Sequence, residues 1–130
     1  MEGGGYDRRV LDHVIINVSD FDGAKAFYEQ ALEPLGVGIV MEFDQMVGFG
    51  EDDKPYLWIA ERGEASSPVH VALAAADHPT VDRFHAAAIA AGGTENGPPG
   101  MRPHYHRNYY GAFVLDTDGN NIEAVCHVPD

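Results

Sequence analysis

Cysteine is almost absent from this sequence: Cys126 is the only one, so no disulfide can form within the chain. A single thiol fits a reducing compartment. Long apolar runs are also missing, because none approaches the roughly 20 residues that cross a bilayer. The first residues, "MEGGGYDRRV", lack the hydrophobic segment of a signal peptide. These absences together predict a cytoplasmic protein.

Positive charge is scarce as well. Eight Lys and Arg stand against 21 Asp and Glu, which gives a net charge of −13. Such a surface repels phosphate backbones and anionic lipids, so neither nucleic acid nor a membrane is expected as a partner. The hydrophobic fraction, 45%, is that of a folded globular chain. The length fits one domain.

The sequence consists of two similar halves. At one constant offset "LDHVIINVSDFDGAKAFYEQALEPLG" lies over "PVHVALAAADHPTVDRFHAAAIAAGG", with His13 over His70 and Phe27 over Phe84. Each copy begins with a short apolar strand. Apolar residues then recur at helical spacing, which predicts helices over about 21–32 and 79–91. An aspartate stands before each helix, as is typical of an N-cap.

Each half continues with three strand signals after its helix, so the predicted order is β-α-β-β-β twice in one α+β domain. The modules are expected to cover residues 8–62 and 68–128. The polar turns "EDDKP" and "DTDGNN" separate strands. Residues 96–108, "NGPPGMRPHYHRN", are expected to form an irregular loop because they are rich in Gly and Pro. The predicted strands are 37–43, 46–50 and 56–61 in the first half, and the region near Thr94, 110–116 and 121–127 in the second.

Three possible metal ligands lie on equivalent strand faces. Because side chains alternate along a strand, His13, His70 and Glu123 each point away from the apolar face of their own strand. If the sheet curls, they meet in a common concavity and form the 2-His-1-carboxylate set, which suits Fe, Zn, Ni, Co or Mn. Two alternatives remain open: the histidines are hydrogen-bonded interior residues, or Glu123 pairs with a protonated histidine in a metal-free polar pocket.

A second group of candidates lies around "GMRPHYHRNYY", a cationic and aromatic stretch in an acidic protein. It is interpreted either as a rim that recognises an anionic or enolic substrate, or as an ordinary exposed loop. Trp58 is expected in a pocket wall or in the core. The candidate pocket and loop residues are Trp58, Arg102, His104, His106, Tyr110 and His127.

The chain resembles the vicinal oxygen chelate superfamily in three motifs. These are "LDHVIINVSD", "PVHVALAAAD" and above all "YYGAFVLDTDGNNIEAVCH". This superfamily holds glyoxalase I, extradiol dioxygenases and bleomycin- and fosfomycin-resistance proteins. The resemblance implies two tandem βαβββ modules that form an incomplete, curved eight-stranded barrel. It also implies a small-molecule ligand and a homodimer.

The resemblance further implies that His13, His70 and Glu123 hold a divalent metal. Trp58 occupies the position of a fourth ligand and cannot ligate, which weakens the four-ligand glyoxalase I activity as a prediction. Three ligands agree better with the extradiol dioxygenases; these also use a further histidine and tyrosine, for which His127 and Tyr110 are candidates without an assigned position. The expected function is metal-dependent isomerase, lyase or dioxygenase chemistry on a small oxygen-rich substrate. The alternative is a metal-free protein that sequesters a drug or metabolite. No catalytic residue is assigned.

Overall fold

The computed structural model describes residues 10–65 and 68–129; residues 8 and 9 of the predicted first module lie outside them. The first module contains β1 Val14–Asn17, α1 Phe21–Leu32, a 3-10 turn Glu33–Leu35, β2 Gly38–Phe43, β3 Met46–Glu51 and β4 Lys54–Ala60. The second contains β5 His70–Ala74, α2 His78–Ala90, β6 Thr94–Met101, β7 Tyr110–Leu115 and β8 Asn121–Cys126.

The strands form two four-stranded sheets with the same topology. Their orders are β1-β4-β3-β2 and β5-β8-β7-β6. The pairs β1–β4 and β5–β8 are parallel, and the other neighbours are antiparallel. This confirms the predicted α+β fold of two tandem βαβββ modules, and the sheets are not closed into a full barrel. None of the described helices is long and apolar enough to cross a membrane.

The helices begin where the sequence places their caps. The Asp20 side chain accepts a hydrogen bond from the backbone N–H of Gly23, and the Asp77 side chain accepts one from the N–H of Thr80. Each cap satisfies a donor that the first turn leaves without a helical partner. After α1, Gly36 adopts a left-handed conformation, with φ of 76°, and ends the 3-10 turn.

The expectation that residues 96–108 form one irregular loop is wrong for its first part. Residues up to Met101 belong to β6, which pairs with β7. β6 lies at the edge of its sheet and has one neighbouring strand. Its prolines lack a backbone N–H, but no second strand is present that would need this donor. The register shifts between Glu95 and Gly97 and between Gly97 and Gly100, so the strand contains bulges.

Both helices and both sheets share one hydrophobic core. Buried residues of α1, α2 and strands from each sheet belong to a single contiguous cluster, which includes Ile16, Phe27, Phe84 and Ile122. Since strand side chains alternate, the face of each sheet opposite this core points outward. Whether His13 meets His70 and Glu123 therefore depends on how these two outward faces are oriented toward each other.

Asp77 is expected to make the free energy of unfolding depend on pH. Hydrogen bonds from the Thr80 side chain and backbone hold the pKa of the Asp77 carboxyl below its usual value of 3.8. A pKa that is lower in the folded state stabilises the fold above pH 3.8, and this contribution is lost as the pH falls below it. Asp77→Ala is therefore expected to lower the urea midpoint more at pH 7 than at pH 3. Asp77→Asn, which retains an acceptor but does not titrate, is the control; an equal loss at both pH values contradicts the assignment.

Candidate functional site

Glu123 is a buried carboxylate on the outward face of the second sheet. Its neighbours on β8, Ile122 and Ala124, belong to the core, as the alternation predicts. Its Oε1 lies 2.7 Å from Nε2 of His70 on the adjacent strand β5. The Glu123 side chain is 1% exposed and that of His70 52%. The histidine thus lies between a buried acid and solvent.

The second oxygen of this carboxylate is held by Tyr109. The Tyr109 hydroxyl donates to Oε2 of Glu123. Loss of solvation and this hydrogen bond raise the pKa of Tyr109 above its ordinary value, so the hydroxyl remains a donor at neutral pH. With a proton on Nε2, His70 donates to Oε1, and both carboxylate oxygens then accept a hydrogen bond.

A cavity of about 360 Å³ opens beside this group. Its lining combines aromatic, amide and cationic side chains on the outward face of the second sheet. The lining residues are His70, Asn96, Gly97, Arg102, Tyr105, Phe113 and Asn121. Such a mixture of apolar walls with a few polar groups is typical of small-molecule sites.

The segment between β6 and β7 folds compactly over this cavity. The backbone N–H of Arg102 donates to the carbonyl of Tyr109 at 2.7 Å, and Tyr105 N–H donates to the carbonyl of Arg102 at 2.9 Å. The His104 ring lies 4.3 Å from that of Tyr105, centroid to centroid. Arg102 and Tyr105 reach the cavity, whereas His104 is exposed.

Two further histidines gather around Tyr109. The His127 ring centroid lies 5.2 Å from that of Tyr109 and 5.4 Å from that of His106, with the rings nearly perpendicular in both pairs. Both histidines are exposed, and neither lines the cavity. His106 Nδ1 lies 2.5 Å from the carbonyl oxygen of Arg107.

The structure places Tyr110 away from the cavity. Its ring stacks on His78 of α2, with centroids 3.9 Å apart, and its hydroxyl donates to Asp82 at 2.6 Å. Tyr109, which belongs to the same stretch but was not among the candidate pocket residues, is the tyrosine that reaches Glu123. Strand alternation was the available signal, because Tyr110 shares the parity of the core residues Ala112 and Val114.

His13 lies apart from His70 and Glu123. It precedes β1, and its Nδ1 is 2.8 Å from an Asp12 oxygen, which also contacts Lys54 Nζ at 2.7 Å. It lines a different cavity, of about 160 Å³, together with residues of β4 and β5. Among residues 10–65 and 68–129, no group of three or more His, Cys, Asp or Glu is arranged to hold a metal. One chain brings together two of the three expected ligands.

Trp58 occupies the position in the first module that Glu123 has in the second. On β4 it pairs with Ile15 of β1, just as Glu123 on β8 pairs with Ala72 of β5. Its ring lies 5.9 Å from that of Phe43, on the outward face of the first sheet. An apolar aromatic group thus replaces the carboxylate there.

Comparison with known proteins identifies the family of this fold. The model of the Glyoxalase/Bleomycin resistance protein/Dioxygenase superfamily matches residues 10–124, and the chain belongs to this superfamily. No curated protein matches the chain.

Solved structures agree with this assignment. A glyoxalase/bleomycin resistance protein from Albidiferax ferrireducens T118 is 30% identical, with 91% of this chain and 99% of that chain covered and a TM-score of 0.82. A glyoxalase/bleomycin resistance protein/dioxygenase family enzyme from Burkholderia phytofirmans PsJN is 22% identical, with 91% and 98% covered and a TM-score of 0.71. A lactoylglutathione lyase from Agrobacterium tumefaciens is 19% identical, with 92% and 94% covered and a TM-score of 0.66. The last two likenesses concern the fold.

Proposed function

We propose that the protein is a small metal-dependent enzyme in which His70 and Glu123 provide two of the ligands of a divalent ion. The carrying observation is the buried Glu123 carboxylate beside a partly exposed histidine, 2.7 Å from it, at the edge of a cavity. A bound cation would give this buried carboxylate a charged partner in place of its hydrogen bond to His70. One nitrogen and one oxygen donor suit Fe, Zn, Ni, Co or Mn.

The other groups of the site have supporting roles in this proposal. Tyr109 donates to Oε2 of Glu123 and fixes the orientation of the carboxylate, as groups that hydrogen-bond to metal ligands do. Phe113 and Tyr105 contribute aromatic surface to the cavity wall, against which a substrate could pack. A bound ion would polarise substrate oxygens and stabilise an enolate or oxyanion, which is the basis of isomerase, lyase or dioxygenase chemistry.

The third ligand in this proposal is His13 of a second copy in a homodimer. His13 stands in the first module where His70 stands in the second, yet within one chain the two histidines line different cavities. The outward face of the first sheet exposes apolar side chains, with Ile15 40%, Met41 45% and Phe43 52% exposed. A twofold dimer that places this face on the second sheet of its partner would cover them and bring His13 to His70 and Glu123.

A metal-free binding protein is the second candidate, and two observations favour it. His70 and Glu123 already satisfy one another by a direct hydrogen bond, and Trp58 replaces a possible fourth ligand with an aromatic ring. In this alternative the cavity beside Phe113 sequesters a drug or metabolite without chemistry.

Metal content of freshly purified protein separates the two candidates. The enzyme proposal expects close to one equivalent of a divalent metal per chain, and His70→Ala is expected to leave less than about a tenth of an equivalent, since a ligand is lost. His85→Ala is the matched control, because His85 Nε2 also contacts a glutamate, Glu95, at 2.5 Å but lies on α2. Wild-type protein with less than about a tenth of an equivalent, and no thermal stabilisation by added divalent ions, would support the binding protein instead.

A further inference from the structure

Arg102 lines the cavity without a carboxylate partner. The sequence has 21 acidic residues, yet among the described residues no Asp or Glu forms an ion pair with Arg102. Its Nη2 donates to the carbonyl of Pro98 at 2.8 Å, and its guanidinium carbon lies 5.4 Å from the Phe113 ring centroid. The side chain is half-buried and held in place by a neutral acceptor and an aromatic ring.

Two glycines of β6 leave space for this guanidinium. A Cβ at Gly97 would lie 3.3 Å from Nη2 of Arg102, and a Cβ at Gly100 would lie 3.0 Å from its Nη1. Side chains at these positions would press on the guanidinium and shift it by a few tenths of an ångström. The bulged edge strand thus forms a recess in which the arginine rests beside the cavity.

The rest of the cavity is compatible with an anion. Asn96 and Asn121 contribute amide groups, which are joined by a hydrogen bond of 3.2 Å from Asn96 Nδ2 to Asn121 Oδ1. Glu123 does not line the cavity, and both of its oxygens accept hydrogen bonds from other groups. Arg102 therefore provides the fixed positive charge in the cavity wall.

We propose that this cavity binds a small organic carboxylate with a flat apolar body, and that Arg102 is its anion receptor. A guanidinium can bind a carboxylate through two parallel hydrogen bonds, which are stronger than bonds between neutral groups. Phe113 and Tyr105 provide aromatic surface for the flat body. Such a carboxylate would be the substrate class of the site described above, and its role as a substrate rests on the proposed function.

The test measures binding of benzoate and of its neutral isostere benzamide to chelator-treated, metal-free protein by titration calorimetry. Wild-type protein is expected to bind benzoate at least about tenfold more tightly than benzamide. Arg102→Gln is expected to weaken benzoate binding by about tenfold or more and to leave benzamide binding within about twofold. Arg107→Gln, which removes the same charge from an exposed residue of the same segment, is the matched control and is expected to change benzoate binding by less than about twofold.

Arg102→Lys keeps the charge and removes the planar fork, so benzoate binding weaker than in wild type and tighter than in Arg102→Gln supports the proposal. This variant also decides the question if Arg102→Gln fails to fold. Equal binding of benzoate and benzamide, no binding of benzoate, or an equal loss in Arg102→Gln and Arg107→Gln would overturn it. Because the protein is metal-free in this experiment, failure here leaves the metal content of the purified protein, which tests the proposed function, unaffected.

Discussion

Replacing Asp116 by alanine is expected to lower the free energy of unfolding by roughly 3–5 kcal/mol, as measured by urea denaturation, because several buried donors would lose their acceptor. Asp116, 6% exposed, accepts a hydrogen bond of 2.5 Å from the hydroxyl of Tyr28. It also accepts from the backbone N–H groups of Asp118 and Asn120 and from the Asn120 amide. Tyr28 belongs to α1 and Asp116 to the turn before β8, so this carboxylate joins the two modules.

The control for this prediction is Asp118→Ala in the same turn. Asp118 accepts a hydrogen bond of 3.2 Å from the N–H of Ser19 at an exposed position, so its loss is expected to cost less than about 1 kcal/mol. Burial, and next the neighbouring Asp116, raise the pKa of Tyr28, so its hydroxyl stays protonated and in need of an acceptor. Tyr28→Phe should therefore be less costly in the Asp116→Ala background than in wild type. Additive effects, or equal losses for Asp116 and Asp118, would contradict the assigned network.

The elements of this fold were predictable where local signals agree. Both helices combine an aspartate cap with apolar residues at helical spacing, and α1 spans Phe21–Leu32 as predicted. A strand was predicted near Thr94, where β6 begins, but its extension to Met101 was missed because the Gly and Pro residues there contradict strand propensity. Its place at the sheet edge, which makes these residues tolerable, depends on the pairing of distant segments.

The candidate site was predictable in part for a similar reason. Alternation along β8 placed Glu123 opposite Ile122 and Ala124, and the internal repeat placed His70 on a neighbouring strand. Periodicity describes one strand at a time, however, and does not specify how two sheets are oriented toward each other. The shared core fixes that orientation through contacts between α1, α2 and both sheets, and within one chain His13 and His70 line different cavities.

This separation leads to the prediction with the largest effect on metal binding: two variants that each lose the metal site should restore metal binding when their chains are mixed. In the proposed dimer each site takes His13 from one copy and the His70–Glu123 pair from the other. His13→Ala and Glu123→Ala homodimers would each lack an intact site. A mixed dimer contains one intact site, which joins His13 of the Glu123→Ala chain to the His70–Glu123 pair of the His13→Ala chain.

After subunit exchange between equal amounts of these two variants, bound metal is expected to return to about a quarter of the wild-type level, because half of the dimers are mixed and each has one of two sites intact. Metal content of the re-isolated dimers measures this. The matched control mixes His70→Ala with Glu123→Ala. In the proposed dimer both ligands of this pair come from the same chain, so no combination of these two chains contains an intact site. Recovery in this control, or no recovery in the first mixture although exchange is demonstrated, would contradict a site shared between two copies. Full metal binding by His13→Ala alone would show that His70 and Glu123 hold the ion without His13.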